Sequence, residues 1–207
     1  AAPAPYSLPW QLRAVTAGNV IRSDNSFAAY EDAGSHPGTT SVTTLLATYK
    51  IPGTGGPGSG LAPLLRLGAV NDSPPSGGGG LTMMNPLVGA TYSIKLPHDF
   101  RLAFFFAVSV PIGGGGGDTP APGNVNSRSK GIFARASMDN AMFAVNDFTL
   151  IPGVAFAYVA HGFTFQSELT LLELLRVRGE KVQAEASKTN LTSGIHLGYY
   201  FVKEFSV

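Results

Sequence analysis

The chain contains no cysteine. A disulfide framework, a thiolate zinc site and a cysteine nucleophile are therefore excluded. Charge is scarce as well: Asp, Glu, Lys and Arg make up 13% of 207 residues, about half the share usual for a soluble domain. The net charge of +1 gives no basis for nucleic-acid binding. Long apolar runs are also missing. A membrane-crossing helix needs ~20 apolar residues, and the best run, 102–112, ends in glycines. That excludes a helical membrane protein but not a transmembrane β-barrel, whose strands need only ~9–11 residues each. No targeting segment is visible, and the start "AAPAPYSLPW" suits a mature N-terminus left after removal of a leader.

What the chain has in excess is Gly (26) and Pro (15), gathered into clusters with apolar stretches between them. This is the pattern of an ordered single domain, 1–207, with large loops. The apolar stretches are short, β-branched or aromatic, and bounded by Gly, Pro, Asn or Asp, which predicts strands. Eight are expected, at 8–22, 41–51, 61–70, 86–96, 99–111, 147–160, 162–177 and 192–202. Their connections alternate in length. "PGTGGPGSG", "PHD", "HG" and "VKE" are the shorter set, and "SDNSFAAYEDAGSHPGTT", "NDSPPSGGGG", the stretch 113–146 and "GEKVQAEASKTN" the longer. Short turns at one end and long loops at the other mark an up-and-down antiparallel barrel in an outer membrane.

Alternation along the strands agrees with this, since successive side chains of a strand face opposite ways. Phe100, Leu102, Phe104, Phe106 and Val108 share one face, opposite Arg101, Ala103, Phe105, Ala107 and Ser109. A soluble sandwich would also alternate, but its solvent face would carry many charges, whereas here the second face is mostly Gly, Ala, Ser and Thr. The charges fall in that second, interior phase: Arg13, Lys50, Arg66, Lys95, Arg101, Glu168 and Arg176, with His196. Glu173 is the exception and falls in the outward phase. The aromatics Trp10, Tyr49, Tyr92, Phe100, Tyr158, Phe163, Phe165, Tyr199 and Phe201 sit in the apolar phase near the short-turn or N-terminal ends. An interfacial aromatic girdle has this arrangement.

On the stretches "YSLPWQLR", "NPLVGATYSIKL", "MDNAMFAVN" and "GIHLGYYF", the chain resembles uncharacterised porin-like bacterial outer-membrane β-barrel proteins. The resemblance implies an outer-membrane location and passive transport, and it brings no catalytic residues. It departs from the family at "KEFSV", where an aromatic C-terminal residue is usual. Phe205-Ser206-Val207 reads instead as the start of a ninth strand, so a larger barrel of which this chain is part is the expectation. Eight strands could also close by themselves.

Candidate chemistry is thin. The glycine runs 77–80 and 113–117 lack the Gly-Lys-Ser/Thr ending of a phosphate loop and read as flexible loop. No histidine spacing fits a metal, and no cofactor is expected. Ser193 and His196 could be cast as the pair of a barrel-embedded lipid enzyme, a minor reading beside a chain that is no enzyme. In the long loop 113–147, Phe133, Ala136, Asn140 and Phe143 recur at helical spacing, as do Met138, Met142 and Val145. Folded into the lumen, this loop would place Arg128, Lys130, Arg135, Asp139 and Asp147 at a constriction, where charge sets pore selectivity. The expected function is a porin-like channel with a basic-leaning lumen for small polar or anionic solutes. Its partners would be membrane lipid and a homo-oligomer or larger envelope assembly. The alternative is a closed barrel working through its loops.

Overall fold

A computed structural model describes residues 15–76, 78–135, 139–181, 184–202 and 205–206. Its strands are β1 (Val20–Glu31), β2 (Pro37–Thr48), β3 (Gly60–Ser73), β4 (Gly80–Met83), β5 (Leu87–Lys95), β6 (Phe100–Ser109), β7 (Asp147–Ala160), β8 (Phe163–Arg176), β9 (Ser187–Val202) and β10 (Phe205–Ser206). Two helices, α1 (Pro122–Ala134) and α2 (Asn140–Phe143), lie between β6 and β7. The strands run up and down in chain order through one antiparallel sheet. β4 and β5 both pair with β3 and share one descending strand, broken at Met84-Asn85-Pro86. The eight long strands curl into half a barrel. They do not close on one another: among the described residues β1 pairs only with β2, and the far side of β9 meets only β10.

The expected strands are present with one displacement. Of the predicted strand 8–22, residues 8–14 lie outside the described residues and 15–19 are not strand. The first strand instead runs through Val20–Glu31, overlapping the expected strand only at 20–22 and otherwise lying in the expected long loop 23–40. Its partner β2 follows after a turn of five residues, 32–36, with Pro37 at the strand's first position, where a missing N–H costs least. The Asp32 carboxylate closes this turn, accepting from the backbone N–H groups of His36 (2.9 Å) and Gly34 (2.8 Å). Those bonds and the His36 ring, the backbone N–H of His36 foremost, hold its pKa below the usual carboxylate range. Of the other connections at this end, 110–146 and 177–186 are long as expected, but 74–79 has only six residues, fewer than the eleven of 49–59 at the opposite end, which was expected among the shorter set.

The two faces of the curl differ in kind. Convex rows that are apolar almost throughout extend nine residues on β3 (61–69), β6 (100–108), β8 (163–171) and β9 (191–199). That length matches the ~9–11 residues a barrel strand uses to cross a bilayer. Phe104 and Phe106 are each about half exposed, and Ile195 is 73% exposed. Glu173 does lie on the convex face, above the β8 row, where Thr189 donates a hydrogen bond to it. On β2 the convex face turns polar above Leu45, and Thr43 donates to Asn25 of β1 at 2.7 Å. Convex aromatics gather at the short-turn end: Phe100 stacks tilted on Tyr158 (4.9 Å between ring centroids) and Phe156 (5.3 Å), with Phe163 and Phe165 beside them. Tyr92 and Tyr199 share this end, and exposed Tyr49 sits just beyond β2. Trp10 and the side chain of Phe201 lie outside the described residues.

The concave face is packed from above by the two helices. Val42, Val70, Met84, Phe105, Ala107 and Ile151 bury themselves against Ala141, Met142 and Phe143. Small residues let α1 approach: a Cβ on Gly131 would meet the Val70 side chain at 2.5 Å. Lower down, Val15 fills the trough beside Ala103, Ala155 and Ala157.

Candidate functional site

The loop does hold a helix, but not the expected one: α1 starts at Pro122, eleven residues before Phe133, the first residue of the apolar repeat, and Phe133 alone of that repeat falls in it. Proline is favoured in the first turn because its missing N–H would have no partner there. Phe133 is exposed, Asn140 and Phe143 fall in the single turn of α2, and Ala136 and Met138 lie outside the described residues. The loop nonetheless folds into the curl. Its anchor is a cluster of three arginines and two carboxylates between the helices and β1–β3.

Asp139 lies at its centre. One oxygen accepts from Nε (3.0 Å) and Nη2 (2.6 Å) of Arg135, and also from Nη2 of Arg66 (3.3 Å). The other oxygen takes Nη1 of Arg66. Arg135 is 1% exposed and also donates from Nη1 to the Ser26 hydroxyl at 3.0 Å. Arg66 reaches Thr44 Oγ1 at 3.4 Å and stands 4.0 Å from Asp24, which Arg22 holds at 3.2 Å. Strand phase explains the convergence: Arg22, Asp24 and Ser26 share the concave face of β1, and Arg66 that of β3. Buried charges survive only when paired and hydrogen-bonded, and five in contact leave one net positive charge.

Of the other loop residues, Lys130 lies over the Tyr30 ring at 4.0 Å, and the Tyr30 hydroxyl donates to Asp72 at 3.0 Å. Arg128 donates to the Gly115 carbonyl at 3.2 Å, and burial pushes its guanidinium pKa down. Asp147 opens β7 opposite Arg176 of β8, away from the cluster. Glu168 and His196 face inward on β8 and β9. Lys95 and Arg101 sit opposite each other at the short-turn rim. Lys50 is not a strand residue: it lies in the β2–β3 loop, where its ammonium donates to the carbonyls of Gly55 and Gly56 and so stabilises that loop. Arg13 lies outside the described residues.

The glycine run 113–117 is a packed structure rather than the expected flexible loop. Gly113 donates to Asn85 Oδ1 (2.9 Å), Gly114 to the Met83 carbonyl (2.9 Å) and Gly117 to Asn146 Oδ1 (2.8 Å). Three of the five N–H groups are thus already used, so the run is not the open nest of donors that a phosphate loop presents. Arg178 ties the same run to the β8–β9 loop by donating to the Pro111 and Gly113 carbonyls (2.8 and 3.4 Å). Ser193 and His196 point to opposite faces of β9, so they form no nucleophile and base pair. Among the described residues no group of three His, Asp or Glu side chains is placed to hold a metal.

Sequence reasoning missed Arg22, Asp24, Ser26, Asn85 and Arg178. The first three were legible in principle, because Arg22, Asp24, Ser26, Ala28 and Tyr30 share one phase of β1. Asn85 and Arg178 act at a strand break and in a loop, where no periodicity marks them. Comparisons with family models, curated proteins and solved structures find no match to this chain.

Proposed function

We propose that the chain forms about half the wall of a bacterial outer-membrane β-barrel that conducts small solutes, its lumen narrowed by α1 and α2. One observation carries this reading. Eight antiparallel strands span only half a barrel, so a closed ring needs roughly twice as many. At about 16–18 strands a barrel encloses an aqueous channel, whereas eight closed strands are filled by their own side chains. The nine-residue apolar rows and the aromatic cluster supply the lipid-facing exterior. β10 pairs with β9 in the antiparallel sense on the side away from β8 and so extends the sheet there. The inward arginines, Lys95 and Lys130 give the lumen a basic lean, which favours small polar or anionic solutes.

The test is conductance of the purified protein in a planar lipid bilayer. Discrete current steps with a reversal potential displaced toward that of the anion are expected. No current above background rejects the channel. A closed barrel is the second reading, favoured by the burial of Val42, Val70 and Phe105 beneath the helices, and a silent record from membrane-inserted, fully assembled barrels would decide for it.

A further inference from the structure

At the short-turn rim, on the convex side, the β5–β6 and β7–β8 turns stand together over the aromatic cluster. His98 and Asp99 come from the first turn and His161 from the second. With Phe100, Phe156 and Tyr158 they line a shallow cleft. We propose that this cleft binds the headgroup of a phospholipid bearing one phosphate and one primary amine.

The argument is charge complementarity over an apolar floor. Two imidazoles can donate N–H groups to phosphate oxygens, and one exposed carboxylate can accept from an ammonium. The tilted rings of Phe100, Phe156 and Tyr158 would lie under the glycerol and upper acyl carbons, with their faces available to the ammonium. Backbone conformation adds a second reason. His98, Asp99 and His161 all have positive φ, at 57°, 63° and 54°. Two-residue hairpin turns of this kind favour Asn-Gly, which has a low conformational cost there. The chain keeps imidazoles and a carboxylate instead and presents them at the rim. A metal does not explain them, since these three groups are not placed to share one.

This inference rests on the membrane reading above, and the test separates the two. The detergent-purified protein is incubated with equal amounts of phosphatidylethanolamine and phosphatidylglycerol, and retained lipid is read by native mass spectrometry. The wild type should retain the ethanolamine lipid about tenfold over the glycerol lipid, the size of one charge-assisted hydrogen bond. Asp99→Asn should bring the ratio close to one, and Asn tolerates positive φ, so the turn persists. Tyr92→Leu, outside the cleft, should leave the ratio unchanged. Equal retention by the wild type, or a preference that survives Asp99→Asn, overturns the proposal. Detergent-dependent protein that holds neither lipid overturns it too. Protein that holds neither lipid and stays monodisperse without detergent overturns the membrane reading itself.

Discussion

Asn85 sits at the break between β4 and β5 with no exposed surface. Its side chain accepts from Gly113 N–H and donates to the Ala144 carbonyl at 2.8 Å, while its own N–H goes to the Met142 carbonyl. One residue therefore joins the wall to the glycine run and to the chain after α2. Asn85→Ala keeps the backbone bond but leaves a buried N–H and a buried C=O unpaired. Each such loss costs about 1–3 kcal/mol, so urea unfolding should show a loss of about 2–6 kcal/mol in all. Nothing in "MMNPLV" marks Asn85 for this role. An asparagine before proline reads as punctuation, and its partners lie 28 and 59 residues away.

At the scale of elements, α1 and α2 are tied to β1–β3 through Asp139. Removing one charge from a buried, paired set costs about 3–5 kcal/mol. Asp139→Asn should lose about that much stability and, by freeing the loop from Arg66, enlarge the conductance step. Replacing Arg66, Arg135 and Asp139 together, as Arg66→Met, Arg135→Met and Asp139→Gly, should recover most of the stability, since apolar replacement of such clusters is often neutral and glycine accepts the positive φ of 62° at position 139. A urea midpoint series across these variants checks both statements. The elements differ in how far their sequences disclosed them. β6 to β8 alternate large apolar residues with small or polar ones, so their spans were legible to within two residues. β1 was not, because Ser23 and Asn25 interrupt its convex row and hide the period. α1 was mislocated because its buried side is Ser127 and Gly131, small residues that carry no apolar periodicity.

At the scale of the whole molecule, the depth of a residue on the convex face should set the cost of charging it. Phe104 is central in its nine-residue row, and Phe104→Lys should destabilise the protein in phospholipid vesicles by about 2–4 kcal/mol. Ser41→Lys, above the apolar band on β2, should cost at most about 1 kcal/mol. Equal costs at the two sites, read from urea unfolding in vesicles, would contradict a lipid-facing band. The curl and strand order were legible from the alternation and from the contrast between short turns and long loops. The open edge beyond β9 was legible only from the short stretch Phe205-Ser206-Val207; how far the eight strands curl was not, since curvature per strand is a quantity that no single strand's sequence states.

The contact from Arg135 to Ser26 spans 109 residues of chain, and that from Arg66 to Asp139 spans 73. The β1–β2 and β2–β3 hairpins beside them join strands across only five and eleven residues. Loop-closure entropy must be met before distant contacts repay it, so the hairpins form first and the helices dock last. Until they dock, Arg22, Arg66 and Asp24 face an unfilled trough. The order of folding is thus set by where the ion pairs were placed: the wall is laid down strand by strand, and its contents are fixed only when the wall is already standing.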